Sequence, residues 1–107
     1  MKRNQANRWL YKIYAMLKDV NMKLRLNRKL GKYYGVTTLH AAGRIDAVIE
    51  IDPAKKAFMS TIVHECLHLV DWDLKEKEVI RLENEIMKAL TDRQLLNLLK
   101  RVILFHT

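Results

Sequence analysis

The sequence predicts a small α+β domain. Apolar residues recur every three or four positions near the N-terminus and throughout the second half, which indicates amphipathic helices. Between these regions, segments 22–26 and 45–51 alternate apolar and polar side chains, as half-buried strands do. The 107 residues include only three Gly and one Pro, and no linker or repeat divides them. We therefore expect one domain covering residues 1–107.

The first predicted element is a helix over residues 6–20. Trp9, Ile13, Met16 and Val20 form one apolar stripe along it. Leu10 and Leu17 widen the stripe, so we interpret this segment as an amphipathic helix.

Three strands are predicted to follow, over residues 22–26, 33–40 and 45–51. Residues 41–44 contain a glycine and make a plausible hairpin loop between the last two strands. Segment 45–51 leads directly into the next helix, so it is expected inside the sheet. Segment 33–40 is then expected at an edge.

The second half is predicted to contain three helices. Asp52-Pro53 resembles a helix start, with an acidic N-cap followed by proline, and this helix should cover residues 53–70. A second helix is expected over 74–90, and a third over 92–104 with Thr91-Asp92 as its cap. The order of elements is therefore a helix, three strands and three helices.

The strongest functional signal is the sequence His64-Glu65-Cys66-Leu67-His68, an HExxH motif on a predicted helix. Residues four apart lie on the same helical face, so His64 and His68 can direct two imidazole nitrogens at one Zn²⁺. Glu65 is adjacent and is placed to take a proton from a zinc-activated water as general base. These residues predict a zinc-dependent peptidase site.

A third zinc ligand is expected from the following helix. Leu74 occupies the position where a third histidine would be expected in a longer zinc motif, so a glutamate is favoured. Helical phase places Glu78 and Glu83 on the two flanks of the apolar face, and Glu76 and Glu85 further towards water. We predict Glu78 as the ligand because it is near the helix start, with Glu83 as the alternative.

The substrate is expected to be a peptide or an unfolded protein. The edge strand 33–40 can pair with an extended chain, and Gly35, Thr37 and Thr38 would offer backbone groups with little bulk. A further donor to the oxyanion is expected, but the sequence does not select among the four candidates Tyr33, Tyr34, His40 and His106.

Composition restricts the setting. The single cysteine, Cys66, excludes an internal disulfide, and we interpret it as a packed thiol. No run approaches the roughly 20 apolar residues of a membrane span, and no secretory leader pattern follows Met1. A cytoplasmic location without membrane contact is the resulting expectation.

The charge distribution supports a competing hypothesis. The net charge is +8, and residues 1–32 contain ten Lys/Arg but one acid, Asp19. Such a basic segment can contact nucleic acid or another polyanion, with Trp9, Tyr11 or Tyr14 stacking on bases. The alternative function is therefore a zinc-stabilised binding module without catalysis. Self-association through the free sheet edge is a further expectation.

The whole chain resembles the minigluzincins, which are minimal HExxH proteins of about this length, and also small phage and bacterial metallopeptidases. The matching residues are His64–Asp71 and Leu74–Leu82, together with the order of sheet, HExxH helix and glutamate-bearing helix. The resemblance implies zinc bound by His64 and His68, a catalytic Glu65, and a glutamate ligand from the next helix, for which our placement is Glu78.

Overall fold

The computed structural model describes residues 2–31, 34–41, 45–52 and 58–106. These residues form an α+β fold of four helices and one three-stranded sheet, as predicted. In chain order the elements are α1 (Arg3–Asp19), β1 (Asn21–Leu26), β2 (Gly35–Ala41), β3 (Ile45–Ile51), α2 (Phe58–Val70), α3 (Glu76–Ala89) and α4 (Asp92–His106).

The sheet has the strand order β1-β3-β2. β3 pairs with β1 in parallel and with β2 in antiparallel orientation, with Gly35 opposite Ile51 and Leu26 also opposite Ile51. The predictions of β3 as the inner strand and of β2 as an edge strand are therefore confirmed. The predicted loop at 41–44 falls largely outside the described residues.

One apolar core joins the sheet to the helices. Alternate residues of β3, Ala47, Ile49 and Ile51, are each at most 1% exposed and face this core. The helices contribute further fully buried side chains, among them Ile13, Leu67 and Ile86. Burying an aliphatic side chain of this size stabilises the fold by roughly 1.5–3 kcal/mol, so the core determines which face of each helix points inward.

Most predicted helix boundaries agree with the structure to within about three residues. The C-terminal helix begins where Thr91 was predicted to cap it: Gln94 N–H donates to Thr91 Oγ1 at 3.2 Å, and Thr91 N–H donates to Gln94 Oε1 at 2.9 Å. The predicted start of α2 at Pro53 lies outside the described residues. Within the described part of the chain, no helix has the length and apolar character needed to cross a membrane.

Candidate metal centre

Helix α2 places His64 and His68 one turn apart on the same side. Their ring centroids are 5.0 Å apart, and both side chains are partly buried. Of the three residues between them, Cys66 and Leu67 are fully buried. The apolar side of α2 therefore anchors the helix on the core and leaves the two imidazoles at the edge of an open cleft.

Glu76, the first residue of α3, contacts both histidines. Its Oε1 lies 2.6 Å from His64 Nε2, and its Oε2 lies 2.9 Å from His68 Nε2. One donor atom from each residue of this trio lies within 4.8 Å of the others. Two imidazole nitrogens and one carboxylate are thus brought together from two helices, in an arrangement that can hold a metal ion.

Glu83 holds the other side of the His64 ring. Its Oε1 lies 2.8 Å from His64 Nδ1, and both side chains are more than 80% buried, with 13% exposure for His64 and 17% for Glu83. Burial alone would lower the pKa of His64, but the hydrogen bond to Glu83 and the charges of Glu76 and Glu65 outweigh it and raise that pKa. Both nitrogens of the His64 ring thus face a carboxylate, Nδ1 that of Glu83 and Nε2 that of Glu76.

Glu65 lines the same cleft as the histidines and is only 5% exposed. Its Oε2 accepts a hydrogen bond from the hydroxyl of Thr37 on β2. Burial raises the pKa of Glu65, although the Thr37 hydrogen bond and the two imidazoles act in the opposite direction. A carboxyl group with a raised pKa, fixed by a neighbouring hydroxyl, is a suitable proton acceptor near neutral pH.

Gly35 allows β2 to approach α2 closely enough for this contact. A Cβ atom at position 35 would lie 2.8 Å from Thr61 Cγ2 and 3.1 Å from Glu65 Cγ. Both distances are shorter than an ordinary carbon–carbon contact of about 3.5–4.0 Å. The absence of a side chain at Gly35 therefore permits the strand–helix spacing that brings Thr37 to Glu65.

These groups lie in a cleft of about 1090 Å³ between β2 and α3. Three exposed large hydrophobic residues, Tyr34, Trp72 and Ile80, also line the cleft. Trp72 lies next to the site, with its ring centroid 6.4 Å from that of His68. The cleft thus combines a polar centre with an apolar rim, as ligand sites commonly do.

The structure places the candidate glutamates differently from the sequence prediction. Glu78, predicted as the third ligand, is exposed and is not among the residues lining the cleft. Glu76, which the helical phase alone placed towards water, is the glutamate beside both imidazoles. Glu83, the predicted alternative, contacts His64 through the nitrogen that faces away from Glu76.

Other predicted site residues have varied positions. Of the oxyanion candidates, Tyr34 lines the cleft, Tyr33 lies outside the described residues, and the side chains of His40 and His106 are not described. Cys66 is buried, and burial raises the pKa of its thiol to about 12, as expected for a packed, unreactive group. The contacts of Thr37 and Gly35 with α2 were not predicted, because no local pattern specifies the partner of an edge strand.

Three comparisons with known proteins found no relative of this chain. No protein-family model, curated protein or solved structure matches this chain. The class of protein is therefore defined by the fold and the site alone. It is a small α+β domain in which two histidines and a glutamate meet in a cleft that also contains a buried carboxyl group.

Proposed function

We propose that this protein is a zinc-dependent metallopeptidase. The proposal depends mainly on one observation, the convergence of His64, His68 and Glu76 within 4.8 Å of one another in the cleft that the buried Glu65 also lines. The resemblance to minigluzincins supports the same function. Glu76 replaces Glu78 as the proposed third ligand.

The donor set fits zinc. Two neutral imidazoles and one carboxylate, with one position left open, are typical of catalytic zinc sites. Tetrahedral ligands about 2.0–2.1 Å from the ion are roughly 3.3 Å apart, so Glu76 would withdraw from the imidazoles by several tenths of an ångström. At 62% exposure, its side chain has room to do so.

Glu83 is proposed as the residue that orients His64. A carboxylate that accepts the Nδ1 proton fixes the tautomer of a metal-binding histidine and increases the basicity of its other nitrogen. The contact of 2.8 Å between Glu83 Oε1 and His64 Nδ1 has this arrangement. Because Glu83 contacts Nδ1 of His64, the nitrogen that faces away from Glu76, it is proposed as a positioning residue and not as a ligand.

The proposed chemistry is hydrolysis of a peptide bond. Zinc would supply a Lewis acid that activates water and polarises the scissile carbonyl. Glu65 would take the proton from that water on its carboxylate and later deliver it to the leaving amine. Thr37 would orient the carboxylate through the hydrogen bond to Oε2. Burial raises the pKa of Glu65, which favours its acting both as a proton acceptor and as a proton donor.

An extended peptide with a large apolar side chain is the proposed substrate. Edge strand β2 forms one wall of the cleft and can offer backbone groups to such a peptide. Trp72 and Ile80, which are 52% and 46% exposed, would contact the apolar side chain of the substrate. Burying them against a ligand removes apolar surface from water, which favours binding.

Metal analysis paired with hydrolysis of an unfolded protein tests the proposal. We expect wild type to bind one zinc ion and cleave, Glu65→Gln to bind zinc without cleaving, and Glu76→Ala to lose zinc. Glu78→Ala is the matched control, because it removes the same charge from the same turn of α3 and should keep both properties.

The outcomes separate the alternatives. Full activity of Glu65→Gln would refute the proton-transfer role. Zinc loss in Glu78→Ala with retention in Glu76→Ala would restore the ligand predicted from sequence. Zinc binding by wild type without hydrolysis of any unfolded protein would support the alternative of a zinc-stabilised binding module.

A further inference from the structure

Helices α1 and α4 meet through polar and aromatic side chains on the surface. Gln94 Nε2 donates a hydrogen bond to Asn7 Oδ1 at 2.8 Å. Seven residues further along each helix, the Arg101 guanidinium lies 4.0 Å from the centre of the Tyr14 ring. Equal spacing on both helices means that α1 and α4 run in the same direction along this contact. We call this surface the α1–α4 seam.

A shallow concavity of about 390 Å³ lies at one end of the α1–α4 seam. It shares no lining residue with the cleft that contains the histidines. Its lining residues are Tyr11, Tyr14, Ala15, Lys18, Asp19 and Arg101. The seam is therefore a second surface feature, built from different elements than the proposed zinc site.

The α1–α4 seam is basic. Lys18 and Arg101 line the concavity, and Arg93 and Lys100 are exposed elsewhere on α4. Among the described residues, none of these four side chains forms an ion pair. Asp19 is the single acid in the lining. Cations that lack carboxylate partners produce a positive potential that attracts polyanions.

Tyr11 gives the seam a feature that a merely solvated basic surface lacks. It is 69% exposed, the highest exposure among the large hydrophobic residues of the described chain, and it lines the same concavity as Lys18 and Arg101. Isolated exposed aromatic residues are common on protein surfaces. An exposed ring that lines the same concavity as two cations is instead suited to stack on a nucleobase while the cations contact the adjoining phosphates.

We propose that the α1–α4 seam binds single-stranded nucleic acid, with Lys18 and Arg101 contacting phosphates and Tyr11 stacking on an unpaired base. Single strands are favoured over a duplex because a base must be unpaired to present its face to Tyr11. Stacking and phosphate contacts do not read base edges, so little sequence preference is expected. This activity goes beyond the proposed peptidase function and does not depend on zinc.

Fluorescence anisotropy with a labelled single-stranded DNA 20-mer of mixed sequence tests this proposal. Binding by wild type should weaken steeply between 50 and 200 mM salt. Because each phosphate contact on a single strand contributes about 0.7 to the log–log salt slope, Lys18→Ala/Arg101→Ala should reduce that slope by about 1.4. The matched control is Lys77→Ala/Lys88→Ala, which removes two exposed cations from α3.

Tyr11→Ala separates stacking from charge. It leaves the net charge unchanged and removes an exposed side chain, so folding should be retained, as circular dichroism would verify. We expect about a tenfold or greater loss of affinity, with recovery in Tyr11→Phe. Unchanged binding by Tyr11→Ala, or an equal loss in the α3 control, would overturn the proposal in favour of diffuse polyanion attraction. Preferential binding of duplex DNA would also overturn it.

Discussion

The close approach of β2 to α2 provides a sharp test of how the site is assembled. In the Gly35→Ala variant, the added methyl group would lie 2.8 Å from Thr61 Cγ2 and 3.2 Å from the carbonyl oxygen of Glu50. The first contact is at least about 0.7 Å too short for two carbon atoms. The strand and the helix must therefore separate, or the Thr61 side chain must move.

The expected loss of folding stability in Gly35→Ala follows from two opposing effects. Overpacking of a well-packed site costs about 1–3 kcal/mol. Replacing glycine by alanine within a strand recovers about 0.5–1 kcal/mol of backbone entropy. We therefore expect Gly35→Ala to lower the free energy of unfolding by about 0–2.5 kcal/mol, measured by urea denaturation with linear extrapolation.

A double-mutant cycle identifies the cause. Thr61→Ser removes the Cγ2 atom but keeps the hydroxyl, so Gly35→Ala should cost at least about 0.5 kcal/mol less in that background. Gly31→Ala is the control, because Gly31 has a φ of 64° and a Cβ added there would meet no atom within 4 Å. Its cost should arise from backbone strain and should be the same in both backgrounds. Equal costs of Gly35→Ala in the two backgrounds would refute the steric argument.

Three further expectations concern the site. Because the pKa values of Glu65 and His64 are raised, the folded state binds protons more tightly than the unfolded state. The zinc-free protein should therefore lose thermal stability from pH 5 to pH 8. The Glu65→Gln variant should lose less stability over the same pH range. Glu83→Gln should weaken zinc binding about 10–100-fold in a chelator competition, whereas Glu85→Gln, on the same helix, should not. Ile80→Ala should change stability by less than about 0.5 kcal/mol, yet lower kcat/KM for peptides with large apolar residues; an unchanged kcat/KM would argue against the apolar wall.

Local patterns were sufficient to predict the elements of this fold. Alternation over 45–51 predicted both ends of β3 correctly, and the Thr91 cap predicted the start of α4. Such patterns predict elements well because the spacing of apolar residues within one segment shows which of its side chains face the core, and that spacing differs between strands and helices. The pairing of His64 with His68 was predictable for the same reason, since residues four apart share a face of any helix.

The choice of glutamate depended on packing between helices. Helical phase places Glu76 and Glu83 on one flank of the apolar stripe of α3 and Glu78 on the other. The stripe by itself does not indicate which flank faces the histidines of α2. Because α3 packs against α2 with the first flank towards the imidazoles, Glu76 reaches both rings and Glu83 reaches the outer nitrogen of His64.

Glu65 also shows which features follow from the sequence pattern and which depend on tertiary packing. The HExxH spacing places Glu65 next to the first histidine, but its hydrogen bond comes from Thr37, 28 residues earlier on an edge strand. A contact between segments so distant in sequence leaves no periodic signal, because it depends on how closely a strand and a helix approach. The residues of the pentapeptide thus specify which groups are present, whereas the packing of β2 and α3 around α2 specifies their partners, their burial and their proton affinities.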